Sequence, residues 1–192
     1  MAAGTLDLVI EQGATMRRTL TWKTGTPAAA KNITSYTARM MLKTSPLKEN
    51  SEIIAITKAN PGVVTTKAAH KLKTGQSVRL PGVGGMVELT ARYAVTKITE
   101  TTFSIGVDTT AYTTYTSGGA VAFVTLTSTA NDDGQLVLGG VAGTVEMYIK
   151  DTVTNVLSGG GVYDLELISP TPTFDVTRLV QGSFSADPNV TT

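Results

Sequence analysis

The sequence has 192 residues, 41% of them hydrophobic and 16% charged, with a net charge of +1. That length holds one domain or two small ones, and the apolar fraction supports a packed core and excludes bulk disorder. The near-zero charge gives no electrostatic argument for nucleic acid or an anionic membrane as partner. With no cysteine and a single histidine, His70, disulfides, thiolate nucleophiles and histidine metal clusters are excluded within one chain.

The amino-terminal stretch "MAAGTLDLVIEQG" carries an apolar run, Leu8 to Ile10, too short for a secretory h-region, and no basic segment precedes it. The expectation is a soluble chain made in the cytoplasm. "TMRRTLTW" reads as a strand, so its adjacent Arg17 and Arg18 point to opposite faces and do not form one basic patch. They read as surface charge or as an inter-subunit salt bridge. "SYTARMMLK" alternates strictly, with Tyr36, Ala38, Met40 and Leu42 on one face and Thr37, Arg39 and Lys43 on the other. That is the pattern of a half-buried strand.

From Ile56 to Phe123 the composition changes. This segment holds the richest glycine cluster, "RLPGVGGMVEL", and the aromatic residues Tyr93, Phe103, Tyr112 and Tyr115. Beyond it, "GTVEMYIK", "GVYDLELIS" and "VTRLVQGSF" read as further strands, with Tyr163, Leu165 and Leu167 inward and Asp164 and Glu166 outward. "DTVTNVL" reads as one helical turn capped by Asp151, with Gly159 just after its end. Turns at "KTGTP", "ANPG", "NDDG", "LGG", "SGGG" and "SPTP" punctuate these runs. Many short strands with frequent turns predict an all-β sandwich or barrel.

The motifs that resemble chemistry fail on spacing. A phosphate-binding P-loop needs a lysine and a hydroxyl after its last glycine, but Met86 and Val87 follow Gly85. The dinucleotide fingerprint lacks its third glycine, so Gly82, Gly84 and Gly85 read as a structural turn. No nucleophile elbow accompanies His70, which reads as a loop or surface histidine that still titrates. "NDDG", Asn131 to Gly134, lacks the alternating ligands of a calcium loop and reads as a turn, with a weak ion shared between subunits as the other reading. "AYTTYTSGGA" offers Tyr112 and Tyr115 to loop packing, a protein interface or a glycan.

Two resemblances extend this reading. "LDLVIEQGATMRRTLTWKTG" and "ITSYTARMMLK" at the front, with "GQLVLGGVAGTVEMYI" and "GGVYDLELISPTPTFDVTRLVQGSFSADPNVT" at the back, resemble tailed-phage structural proteins with an immunoglobulin-like sandwich. These are related to the amino-terminal domain of baseplate upper proteins. The middle, with "VVTT", "GVGGM", "TTFSI" and "SGG", is similar to a small β-barrel-like domain. That domain is named for the first catalytic cysteine half-domain of ubiquitin-activating enzymes and recurs in phage tail and spike proteins. No ubiquitin chemistry is expected of a chain without cysteine.

Together the resemblances imply an immunoglobulin-like sandwich over residues 1–55 and 124–192, split by a small β module over 56–123. On this reading "FVTLTST" resumes the strand order that "SEIIAI" leaves. The implied role is that of a non-enzymatic virion protein in the tail, baseplate or head-to-tail region, assembled in the host cytoplasm. It would form a homo-oligomer and contact other virion proteins through strand edges, with the insert projecting outward. No catalytic residue, cofactor, metal, membrane or nucleic acid is expected. The candidate interface residues are Tyr112, Tyr115, Arg17 and Arg18. The alternatives are a capsid decoration protein or a carbohydrate-binding receptor module. The latter would use a groove lined by Tyr112, Tyr115 or Trp22 with Asp108 and Glu88 as a carboxylate pair.

Overall fold

The computed structural model describes residues 3–43, 51–170, 172 and 174–188. The fold is all-β. The chain divides into two compact units, one of Met1–Met41 with Thr125–Thr192 and one of Leu42–Val124. First come β1 (Gly4–Thr5), β2 (Leu8–Glu11), β3 (Met16–Thr21), β4 (Lys23–Thr24), β5 (Ala29–Ala30) and β6 (Thr37–Lys43). Next are β7 (Ile53–Ile56), β8 (Val63–Thr66), β9 (Ser77–Val78), β10 (Val83–Gly84), β11 (Tyr93–Ala94), β12 (Thr96–Lys97), β13 (Thr102–Ser104) and β14 (Ser117–Gly118). The chain ends with β15 (Val124–Thr127), β16 (Gly134–Leu138), β17 (Thr144–Ile149), the single turn α1 (Asp151–Thr154), β18 (Gly160–Ile168) and β19 (Val176–Asp187).

The first unit has two main sheets. One runs β1-β19-β18-β6-β15, with β2 also on β19, and the other runs β16-β17-β3. These two sheets fit the layered all-β architecture expected from the sequence. Period-two patterning explains it. Ala38, Met40 and Leu42 on β6, Tyr163, Leu165 and Leu167 on β18, and Val145, Met147 and Ile149 on β17 are all buried, while their neighbours face out. Fully burying a residue of this size contributes about 1.5–3 kcal/mol, so these rows dominate the unit's stability.

The amino-terminal strands join β19 through a tight junction. β1 and β2 both run parallel to β19, facing Val180–Gln181 and Phe184–Asp187, with Gly182 opposite the break between them. A Cβ on Gly182 would lie 2.0 Å from the Leu6 carbonyl oxygen. That oxygen accepts the buried Tyr163 hydroxyl at 2.6 Å. Burial, the larger effect, pushes that hydroxyl up to about 12, so it remains a donor. Asp7 completes the junction, its carboxylate accepting the Ser183 N–H at 2.9 Å and the Ser183 hydroxyl at 2.7 Å.

The second unit packs a four-stranded sheet, β12-β13-β8-β7, with the pairs β9–β11 and β10–β14. Ile53, Val64, Val78, Leu80, Met86, Tyr93, Phe103 and Ile105 fill its core. Two sequence expectations change here. The second unit begins at Leu42 rather than Ile56, because β7 pairs with β8 in the register Ile53↔Thr66 and Ile56↔Val64. β15 lies beside β6 instead of continuing from β7. A four-residue apolar run does not reveal which sheet buries it. Asp151 is the first residue of α1 rather than its cap. Lys150 occupies the cap position and makes no side-chain cap bond.

Gly182→Ala tests the junction. Because the Leu6 carbonyl blocks the new methyl, β1 and β2 must shift away from β19. The expected loss is about 2 kcal/mol or more, read by urea denaturation, and Ser183→Ala loses less.

Candidate functional site

The glycine loop and the tyrosine loop close on each other. β10, inside "RLPGVGGMVEL", pairs with β14 in the register Val83↔Gly118 and Gly84↔Ser117. A Cβ on Gly84 would lie 2.9 Å from the Ser117 carbonyl oxygen, and one on Gly85 would lie 2.1 Å from that of Thr114. Gly85 also takes φ +82°, where only glycine is unstrained. The glycines therefore admit a second backbone segment at close range.

The two tyrosines differ in role. The Tyr115 hydroxyl donates toward the carbonyls of Ile53 at 2.9 Å and Gly118 at 3.0 Å, one proton shared between two acceptors. Burial raises its pKa, with Glu52 adding to the effect. Tyr115 thus ties the loop to β7. Tyr112 is half-buried in the same loop, and its backbone N–H donates to the Thr109 carbonyl.

Neither proposed carboxylate is poised as an acid. Glu88 accepts the Thr113 N–H at 2.8 Å and its hydroxyl at 2.9 Å, and the Thr113 N–H is the main reason its pKa is lowered. Asp108 accepts the Thr110 hydroxyl at 2.6 Å and N–H at 2.9 Å, and the hydroxyl contact chiefly lowers its pKa. A glycosidase needs one carboxyl held up as general acid, and here both are held down. Trp22, the third residue of the expected groove, belongs to the other unit, where it meets Tyr36 edge-on with 6.3 Å between ring centroids.

His70 corrects the surface reading, because it is fully buried. Its Nδ1 accepts the Leu72 N–H at 2.9 Å, so the proton of the neutral ring sits on Nε2, 3.4 Å from the Thr102 carbonyl. The ring stands edge-on to Phe103 with 5.1 Å between centroids. Burial is the main cause that lowers its pKa. Lys71 at φ +57° and the turn at Gly75 fold this loop back on itself, which period-two patterning does not foretell.

In the first unit, Arg17 is engaged within the chain. Its guanidinium lies 2.6 Å from the Glu146 carboxylate and 4.3 Å from the centre of the Tyr148 ring. An exposed pair of this kind contributes at most about 1 kcal/mol. Arg18 stands in register with buried Met147, on the inward row of β3, yet it is exposed because β3 is the last strand of its sheet.

The "NDDG" turn does more than reverse the chain. The Asn131 side-chain oxygen accepts the Asp133 and Gly134 N–H groups, and Lys150 Nζ donates to the Asn131 carbonyl at 3.0 Å. Asp133 is fully buried, and its carboxylate accepts the Thr125 N–H at 2.8 Å. The Asn131 amide donates to the Thr125 carbonyl at 2.8 Å. Among the described residues no group of three or more His, Cys, Asp or Glu can hold a metal ion. Sequence reading also missed Arg92, whose guanidinium donates to the carbonyls of Phe123 at 2.7 Å and Ser77 at 3.0 Å.

Among known protein families, residues 59–125 match the FCCH domain of ubiquitin-activating enzyme E1. The inserted unit is therefore similar to that domain. No curated protein matches the chain. With no cysteine in the sequence, this unit has no thiol to carry a thioester.

Two experiments probe the unit. Gly85→Ala is expected to destabilise it by about 2 kcal/mol or more, whereas Gly75→Ala, where an added Cβ meets open space, costs about 1 kcal/mol. Denaturation followed by amide exchange distinguishes the two. The second concerns pH. With the folded pKa of His70 lowered, the unfolded chain takes up the proton first as pH falls below about 6.5. Stability is full above that value and is lost as pH falls from it through the folded pKa. Protection of the Leu72 amide is expected to drop between pH 7 and 5. In His70→Asn, which keeps an acceptor and loses the titration, the drop is expected to vanish.

Proposed function

We propose that the chain is a non-enzymatic structural component of a tailed-phage virion, in the tail, baseplate or head-to-tail region. Its sandwich meets other virion proteins, and the FCCH-like unit is a second contact module carried between β6 and β15. The order of the two resemblances along the sequence is what points to a phage structural protein. The observation that supports the non-enzymatic part is that the groups weighed as catalytic or ligand candidates serve the fold. His70, Glu88, Asp108 and Asp133 each accept backbone N–H groups, and the two exposed carboxylates among them are held ionised.

Assembly proteins act through surface area and geometry, and their polar residues are free to serve the fold. Arg17 and Tyr115 also make contacts within the chain, and with Tyr112 and Arg18 they form the proposed interface, to which an exposed loop tip adds. Val87 is exposed at the tip of the glycine loop, and Tyr112 is half-buried in the facing loop.

Mass spectrometry of purified virions whose genome encodes this sequence tests the proposal. The chain is expected in the tail fraction after heads and tails are separated. Recovery with heads would point to capsid decoration, and absence from both fractions overturns the proposal.

A further inference from the structure

We infer that the free edge of β16 is the strand-pairing surface of the sandwich, and that its occupant is β16 of a second copy of this chain. The inference rests on the assembly role proposed above and adds the contact. A sheet edge offers unpaired N–H and C=O groups to any other strand, so edges that must stay single carry guards. Three of the four edges of the two main sheets are guarded. At β15 the backbone of Thr125 is sealed on both sides of its hydrogen bonding, the N–H by the buried Asp133 carboxylate and the carbonyl by the Asn131 amide. At β3 the charge of Arg18 sits on the inward row, where a pairing strand would have to bury it. The β1–β2 edge is broken into pieces of two and four residues around Leu6 and Asp7.

β16 has none of these. Gly134–Leu138 contains no charge and no proline. Among the described residues it pairs with β17 alone, in the register Gly134↔Ile149 to Leu138↔Val145. Gly139 donates to the Thr144 carbonyl, so the odd-numbered residues hydrogen-bond to β17 and the backbones of Leu136 and Leu138 face the free side. Gly134, the next in that series, is already bonded to Asn131. Two residues remain, and they define one register. In an antiparallel pair centred on Val137, Leu136 of each copy faces Leu138 of the other and exchanges both hydrogen bonds with it. Val137 then lies directly opposite its own counterpart on the two-fold axis.

That register gives Val137 a partner. The residue is 42% exposed on the outer face of the sheet, an apolar residue that the single chain leaves partly in water. The pairing also brings no like charges together, since the strand has none. The closed two-fold contact consumes both edges and cannot propagate into a fibre.

The cysteine-free sequence makes the test direct. Facing residues of a non-hydrogen-bonded pair have Cα atoms about 4.5 Å apart, within disulfide range. Val137→Cys treated with copper phenanthroline is expected to give a disulfide-linked dimer, whereas Thr19→Cys on the guarded β3 is not. Val137→Lys, at an exposed position, is expected to keep its circular dichroism and raise the dimer dissociation constant at least tenfold by sedimentation equilibrium. A wild-type chain that is monomeric throughout, or a Val137→Cys chain that does not cross-link, overturns the inference. So does self-association unchanged by Val137→Lys. These outcomes leave the virion assignment intact, because that assignment fails only on absence from purified virions.

Discussion

Many strands in this chain are two residues long and loops join them, so much of the backbone, in loops and at strand ends, has no ladder partner. Each buried N–H and C=O left open costs as much as a lost hydrogen bond, so side chains must supply the missing partners. Threonine does this repeatedly. The Thr109 hydroxyl donates to the carbonyls of Thr57 and Ala59 and accepts the Ala59 N–H, and the Thr66 hydroxyl serves the Ala68 carbonyl. Gln76 takes the Lys73 N–H, His70 that of Leu72, and Asp7 that of Ser183. A threonine-rich composition follows from this need as much as from β-propensity.

The same constraint governs how isolated polar residues are understood. A lone histidine, a pair of carboxylates and an Asn-Asp-Asp-Gly string each look like chemistry when taken alone. Catalysis requires a group whose proton or lone pair is available and whose pKa is tuned toward its task. Here Glu88 and Asp108 are tuned away from acid behaviour by the N–H and hydroxyl groups they accept. The imidazole lone pair of His70 is committed to Leu72. These groups define backbone geometry, and changing one should register as lost stability of its own unit.

Period two made the long strands legible. β6 and β18 bury the residues that alternation places inward, because each crosses a sheet with one face packed. The glycine loop was legible as a turn from its missing lysine, but its partner was not, since the Thr114 and Ser117 carbonyls are about thirty residues further along the chain. The start of the second unit was illegible for a related reason. Ile53 and Ile56 are apolar in either sheet, and only long-range pairing with β8 assigns them. His70 does lie in a loop, but its burial was not legible because it arises from a looped segment without a period. Asp133 was read as turn chemistry, which it is, but sealing the edge of β15 depends on a contact that no local pattern encodes.

Closure of the second unit on itself explains how a sandwich tolerates an insertion of this size. The Phe123 N–H donates to the Leu42 carbonyl at 2.7 Å, so the two ends of the inserted segment are hydrogen-bonded neighbours. Arg79 and Ala122 exchange backbone bonds just inside that point, and Arg92 holds the Phe123 carbonyl. The sandwich therefore meets two chain ends already side by side, and the closure cost grows only slowly with the length between them. Charge follows the same division. The segment Leu42–Val124 carries nine Lys and Arg against five Asp and Glu, a net +4, and the remainder carries seven against ten, a net −3. The whole-chain value of +1 averages two surfaces of opposite sign. Electrostatic reasoning about partners thus belongs to each unit separately, and the uncharged β16 edge stands apart from both.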